Sequence, residues 1–269
     1  MRLQVAGVTH RGAVRQRNED TIAIGGLLSS VDDGAPVGWE VDTTGGVLLA
    51  VADGLGGHSA GDRASMLALR SLAARRDNYR DGASLAAAIT EADAAIYGEM
   101  DHDRSWRGMG TTLAGFAAVG ETLWCFNVGD SRCYATRFDS LVQVSTDDSP
   151  PRYAGQSVGA TTNVVTQTLG GRAQPSALDP HITTLPVDAG TRLLVCSDGL
   201  SDYVDIDVIE HEVLRPGPLV DVATALLRAA LVAGAPDNVS VVLAHVLPDA
   251  PATDPDTTTD RSDRGDLVR

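Results

Sequence analysis

Apolar residues alternate over 3–8 and form an unbroken run over 47–52, which predicts first a half-buried strand and then a fully buried one. Between them, residues 25–46 are rich in Gly, Ser and Asp and read as an irregular excursion. The apolar spacing then lengthens to that of helices. Over 59–77, Ala64, Leu67, Ala68 and Leu72 share one face, and over 84–100 Leu85, Ala88, Ile89 and Ile96 do the same. Strand patterns return at 111–119, 122–128, 132–136 and 141–145. The polar stretch 146–162, with Pro150, Pro151 and several glycines, reads as a long surface loop. Beyond it come a buried strand at 192–196, helices at 205–214 and 219–233, and a closing strand at 239–246.

Helices that arrive in pairs between runs of strands predict α+β layering, and two packed sheets with helix pairs outside satisfy this order. No internal repeat interrupts it. Residues 1–247 are expected to form a single domain. Residues 248–269 are rich in Asp, Thr and Pro with almost no apolar content, and are expected to be a disordered acidic tail.

Composition narrows the picture. Of 269 residues, 43% are hydrophobic and only 4% aromatic, so the core must be built from Val, Leu, Ala and Ile. The net charge is −15, and all 21 basic residues are Arg. So acidic a surface repels nucleic-acid phosphates and anionic lipid, so neither nucleic acid nor a membrane is expected as a partner. No apolar run approaches the ~18–20 residues of a membrane span, and the N-terminus lacks a signal-peptide layout. Cys125, Cys133 and Cys196 lie in apolar runs without metal-ligand spacing, and read as reduced core thiols of a cytoplasmic protein.

One chemical pattern recurs four times: an apolar strand meets an Asp within a tight Gly, Ser or Asn turn. The instances are Val51-Ala52-Asp53-Gly54, Val128-Gly129-Asp130-Ser131, Cys196-Ser197-Asp198-Gly199 and Asp237-Asn238 ahead of Val239. A further acidic pair, Glu19-Asp20, opens the second strand. Any one Asp-Gly is compatible with a simple hairpin or Asx turn. Several converging at one sandwich edge would raise one another's pKa and destabilise the fold unless a cation neutralised them. Hard oxygen ligands select Mg²⁺ or Mn²⁺. The Gly-rich segment Asp53-Gly54-Leu55-Gly56-Gly57-His58 matches neither a P-loop nor a dinucleotide fingerprint, and its leading Asp favours a metal site that brings the Gly54 carbonyl close. Arg15, four residues before Glu19, is either a solvated surface residue or a guanidinium that grips a phosphate.

These segments resemble, in order, the PPM or type-2C metal-dependent serine/threonine protein phosphatases of bacteria. The resemblance runs through residues 12–20, 52–58, 109–113, 127–132, 163–170, 197–200 and 237–240. It implies a central antiparallel β-sandwich flanked on both sides by paired α-helices. It further implies hydrolysis of phosphoserine and phosphothreonine on proteins by a metal-activated water. Two Mn²⁺ or Mg²⁺ ions would be held by Asp53, Asp198, Asp237 and the Gly54 carbonyl, with Glu19 and Asp20 orienting their waters. Arg15 would bind the substrate phosphate, and Asp130 with Asp198 would hold a third ion. The expected partners are phosphorylated proteins and an opposing bacterial serine/threonine kinase, for a monomeric signalling enzyme.

Two departures stand out. Leu55 occupies a position where some members carry a His as candidate general acid; His58, three residues on, is either a proton-transfer group or a helix-start or surface His, with a metal-bound water as the alternative proton donor. Thr146-Asp147-Asp148-Ser149 replaces the usual Asp-His-Ser sequence at the start of a shortened flap. A non-catalytic phosphoprotein-binding module would show degraded metal ligands, and none is degraded. A two-metal esterase acting on nucleotides is disfavoured by the acidic surface.

Overall fold

The structure is a computed structural model that describes residues 1–55, 60–150 and 164–248. Strands β1 (Arg2–His10), β2 (Thr21–Gly25), β3 (Leu27–Ser29), β4 (Val37–Asp42), β5 (Val47–Ala52) and β6 (Gly54–Leu55) precede helices α1 (Gly61–Ala73) and α2 (Gly82–His102). Strands β7 (Gly110–Thr111), β8 (Leu113–Val119), β9 (Thr122–Val128), β10 (Arg132–Arg137) and β11 (Ser140–Gln143) follow. Then come β12 (Leu169–Gly170), β13 (His181–Leu185) and β14 (Arg192–Cys196). Helices α3 (Asp198–Ser201), α4 (Ile206–Leu214) and α5 (Leu219–Val232) lead to the closing strand β15 (Val239–Val246).

Two six-stranded sheets result, ordered β11-β10-β14-β15-β1-β4 and β13-β9-β8-β5-β2-β3. Strand alternation decides which layer each residue serves. Along β5, Val47, Leu49 and Val51 join β1, β14 and β15 residues such as Val5, Val195 and Val242 between the sheets. Leu48, Ala50 and Ala52 instead meet Leu69 and Leu72 of α1 and Leu85 and Ile89 of α2. On the other side, Val241 and Leu243 of β15 pack under Val222 and Leu226 of α5. Both faces of each central strand are therefore dry, which is why their sequences read as continuous apolar runs. The layers are helix pair, sheet, sheet, helix pair, as the sequence order and the resemblance led us to expect.

Several local expectations need correction. The excursion at 25–46 contains β3 and β4, and β4 pairs with β1, setting Trp39 opposite Val5 and Val41 opposite Leu3. As a sheet edge it buries only one face: Trp39 and Val41 pack on the inter-sheet core while Val37 and Glu40 stay exposed. Its half-polar alternation is thus masked by Gly- and Asp-rich flanks. The helix expected over 59–77 ends at Ala73, and Arg76–Asn78 forms a single 3₁₀ turn. There the chain turns back so that buried Tyr79 donates its hydroxyl to the Leu72 carbonyl at 2.8 Å. Helix α2 starts at Gly82, earlier than expected, because Asp81 and Ser84 form a reciprocal capping box. The short strands β12 and β13 are additions. All three cysteines are free and buried, and no helix among the described residues is long and apolar enough to cross a membrane. The loop expected at 146–162 is described only to Pro150, and the tail beyond Pro248 lies outside the described residues.

Candidate metal and phosphate site

The aspartates of the recurring motif all sit where strands begin or end. Asp53 follows β5, Asp130 lies in the turn between β9 and β10, Asp198 opens α3 after β14, and Asp237 precedes β15. Strand register brings these ends together. Cys196 stands opposite both Arg132 and Val241, and Thr21 stands opposite Ala52. The start of β2, with Glu19 and Asp20 ahead of it, therefore lies beside the end of β5.

Between these ends opens a cavity of about 360 Å³. Its charged wall carries Arg15, Glu19, Asp53, Asp130, Asp198, Asp202 and Asp237, with Gly54 among them. The sequence motifs mark all of these but Asp202. Its spacing from Asp198, one helical turn on through α3, is the signal that could have found it. Tyr203 and Leu55 form part of the remaining wall. Asp20 lies beneath, fully buried. His58 belongs to residues 56–59, which are outside the described residues.

The carboxylates are close enough to control one another's protonation. Burial, then Asp20, Asp198, Asp237 and Asp130, holds Asp53 well above the ordinary carboxylate range. Burial, then Asp130 and Asp237, pushes Asp198 up to about 8. Asp20 rises to about 7 through burial, against hydrogen bonds that favour its anion. Asp130 rises to about 6, again chiefly by burial, and Glu19 rises through burial and the charge of Asp62. Left without a counter-charge, this centre holds protons at neutral pH. That is the convergence that the separate motifs could not establish.

A polar scaffold aims these groups. Asn18 Nδ2 donates to Thr9 Oγ1 (2.7 Å), and the Thr9 and Ser240 hydroxyls are 2.8 Å apart. Ser240 Oγ donates to Asp20 Oδ2 at 2.7 Å, so Thr9 must donate to Ser240 and the whole chain orients toward one Asp20 oxygen. Asn238 donates its side-chain amide to the carbonyls of Arg11 and Arg17 (2.9 and 2.8 Å), and its Oδ1 accepts from Glu19 N at 2.8 Å. It thereby ties the loop bearing Arg15 to Asp237, and Arg15 donates to Asp237 Oδ2 at 2.6 Å. The Asp53 carbonyl accepts from Thr112 N (2.9 Å) and Thr111 Oγ1 (2.8 Å). Next to it, a Cβ on Gly54 would come within 2.4 Å of the Gly61 carbonyl oxygen and 2.5 Å of that of Glu19, so no larger residue fits.

The residues present fit divalent cations. Asp20 Oδ1 and Asp198 Oδ1 are buried without any hydrogen-bond partner, an expensive state that cation neutralisation relieves. The donor set around the cavity is all oxygen, suited to Mg²⁺ or Mn²⁺ rather than to a softer metal. Among the described residues, no group of three or more His, Cys, Asp and Glu side chains forms a ready-made metal cage. The carboxylates line a cavity instead, as mutual repulsion requires.

Comparison with known proteins agrees with this geometry. Residues 31–242 match the family model of Protein phosphatase 2C. Among curated proteins, the serine/threonine protein phosphatase PstP of Mycobacterium tuberculosis is 33% identical over 257 residues, 91% of this chain and 45% of the relative. The chain thus spans about half the length of that relative. Protein phosphatase PhpP of Streptococcus pneumoniae is 30% identical over 217 residues, covering 76% of this chain and 87% of that protein. The crystal structure of the Mycobacterium tuberculosis phosphatase PstP superposes with a TM-score of 0.77 at 32% identity, covering 92% of this chain and 100% of that one. The PstP catalytic domain in complex with two manganese ions gives a TM-score of 0.73 at 33% identity, with the same coverage.

Proposed function

The chain belongs to the protein phosphatase 2C family, and on that premise we propose that it hydrolyses phosphoserine and phosphothreonine monoesters on proteins, at a centre of two Mn²⁺ or Mg²⁺ ions. The observation that carries this reading is the ring of mutually perturbed carboxylates, with two buried oxygens unpartnered, at the edge of one cavity. Asp53, Asp198 and Asp237 with the Gly54 carbonyl would hold the ions, Glu19 and Asp20 would orient the waters around them, and Asp130 with Asp198 would hold a third. Bound divalent ions supply a nucleophilic water at neutral pH and charge stabilisation for in-line attack on phosphorus.

The chain's own residues do the rest. Asp20, held by the Asn18–Thr9–Ser240 relay, presents its free oxygen from below. Arg15 lies half-exposed on the cavity wall, where a guanidinium can grip two phosphoryl oxygens once it leaves Asp237. With Leu55 beside Gly54, proton delivery to the leaving oxygen falls to His58 or to solvent at the centre. The substrates would be phosphorylated proteins, and the enzyme would oppose a bacterial serine/threonine kinase. We assign residues 1–247 to a single catalytic domain of a monomeric, cytoplasmic protein, and 248–269 to an acidic tail.

The direct test is hydrolysis of a phosphothreonine peptide with Mn²⁺ and with a chelator. We expect turnover only with the metal, and a loss of at least about 10²-fold in kcat in Asp53→Ala and Asp198→Ala. Turnover that survives either substitution rejects the reading.

A further inference from the structure

The helix α2 carries a carboxylate that the reaction does not use. Asp93 is 7% exposed and faces inward from the middle of a 21-residue helix. Asp has a poor helix propensity, and burial pushes this carboxyl up, so neither the helix nor the core explains it. Its hydrogen bond to the backbone of β12 does. Asp93 Oδ1 accepts from Gly170 N at 2.7 Å, and one turn along, the Tyr97 hydroxyl donates to Gly170 O at 3.3 Å. Gly170 is held by both its polar backbone groups, in a left-handed conformation (φ +64°) where a Cβ would lie 2.6 Å from Ile96 and from the Met109 carbonyl.

Gly170 is the edge of a three-stranded sheet ordered β12-β7-β6. Leu169 pairs with Thr111, and Thr111 pairs with Gly54. Gly170 likewise pairs with Gly110, and Gly110 with Leu55. The middle strand also supplies Thr111 Oγ1, which donates to the carbonyl of Asp53. The paired backbones of β12, β7 and β6 thus connect Gly170, which two side chains of α2 hold, to the two residues assigned to the ions. After burial, the charges that shift Asp53 most are Asp20, Asp198, Asp237 and Asp130, so the link argued from Asp93 is mechanical.

We propose that Asp93 is a positioning residue for the metal centre, anchoring the edge of this small sheet so that Asp53 and the Gly54 carbonyl face the cavity at fixed height. The proposal rests on the reading of Asp53 and Gly54 as metal ligands. Because the bond needs an acceptor oxygen and not a charge, Asn should replace Asp93, whereas Ala should not.

Calorimetric titration of the full chain with Mn²⁺, paired with thermal melts in chelator, tests this. Asp93→Ala should bind Mn²⁺ about 10-fold more weakly, in the range seen when groups that orient metal ligands are removed, and Asp93→Asn should stay within about 3-fold of the unaltered protein. Ser84→Ala, which breaks only the cap of the same helix, should lower the melting temperature and leave Mn²⁺ affinity within about 2-fold. If Asp93→Ala does not fold, Tyr97→Phe carries the comparison, with an expected weakening of about 3-fold. Unaltered affinity in Asp93→Ala or in Tyr97→Phe, or equal loss in Asp93→Asn and Asp93→Ala, overturns the proposal. If the unaltered chain takes up no Mn²⁺ while remaining folded, the proposal falls together with the reading of the centre. If it binds Mn²⁺ normally and only the Asp93 result fails, the centre stands.

Discussion

Replacing Asp198 by Asn should stabilise the metal-free protein while destroying its metal response. Burial and neighbouring carboxylates hold Asp198 near 8, against an ordinary 3.8. The folded state therefore binds more protons than the unfolded state between those limits. Since stability changes with pH according to protons bound unfolded minus folded, it must fall as pH rises from about 4 to about 8. At pH 7.5 the unfolded carboxyl is ionised and the folded one largely protonated, which at about 1.4 kcal/mol per pH unit costs about 5 kcal/mol. Asn removes that cost but buries an amide beside an oxygen position with no partner, a penalty of about 1–3 kcal/mol. The net gain is about 2–4 kcal/mol, or a melting temperature higher by about 4–16 °C for a chain of this size. At pH 5 the two effects nearly cancel and the gain should vanish. Mn²⁺ at about 100 times its dissociation constant should add about 2.7 kcal/mol to the unaltered protein and little to the variant, closing the gap. The assay is a set of melts at pH 5, 6.5 and 8, in chelator and in Mn²⁺. A variant that melts lower than the parent in chelator at pH 8, or by the same margin at every pH, refutes the reasoning.

Other consequences are simpler to check. Mn²⁺ binding should release protons, because Asp130, Asp20 and Asp198 sit near 6, 7 and 8 without metal. Affinity should therefore rise across pH 6–8, and titration heats that do not depend on the buffer's ionisation enthalpy would contradict this. Arg15→Ala should cut kcat/KM for a phosphopeptide by about 10²-fold while Mn²⁺ still binds, since it removes a charge-assisted phosphate contact; a change below about 3-fold would count against the assignment. Gly199→Ala would put a Cβ 1.9 Å from the Asn238 carbonyl oxygen, so urea melts should show a loss of about 3 kcal/mol or more, with a midpoint unchanged from the parent as the contrary result. Gly98→Ala, exposed in α2 with nothing within 4 Å of the new Cβ, should instead stabilise by about 0.5–1 kcal/mol, and any loss of stability would be against expectation.

The strands buried on both faces were the most legible part of the fold. Residues 47–52, 122–128, 192–196 and 239–246 coincide with β5, β9, β14 and β15, because a strand covered on both sides has no choice but to be apolar throughout. Legibility failed where burial was partial. Strand β4 buries only Trp39 and Val41, partly, and β13 buries Leu185 with Ile182 partly covered, so pairing with a neighbouring strand, and not composition, makes them strands. The two-residue strands β6, β7 and β12 carry no pattern at all. Gly110 and Gly170 let β7 and β12 approach closely, while Gly54 lets β6 pack against the backbones of Glu19 and Gly61.

The candidate site divides along the same line. Which aspartates stand at strand ends was readable, since an Asp at the end of a buried strand is a local signal. That they converge was not, because convergence is a property of register: Thr21 against Ala52, Arg132 against Cys196, Cys196 against Val241. The positions so paired lie between 31 and 64 residues apart in the chain, and only antiparallel pairing decides that the strand ends, not their middles, coincide. The groups that aim the carboxylates were hidden for a further reason. Thr9, Ser240 and Asn18 are small polar residues in or beside strands and would individually pass for surface positions. Yet Thr9 and Ser240 are buried at 3% and 0% exposure, and Asn18 at 8%. A hydroxyl inside a dry sheet must find partners, and the partner that ends this chain of donors is Asp20. What gives a buried Thr or Ser away, then, is the absence of any nearer acceptor, and that can be judged only once the strands are paired.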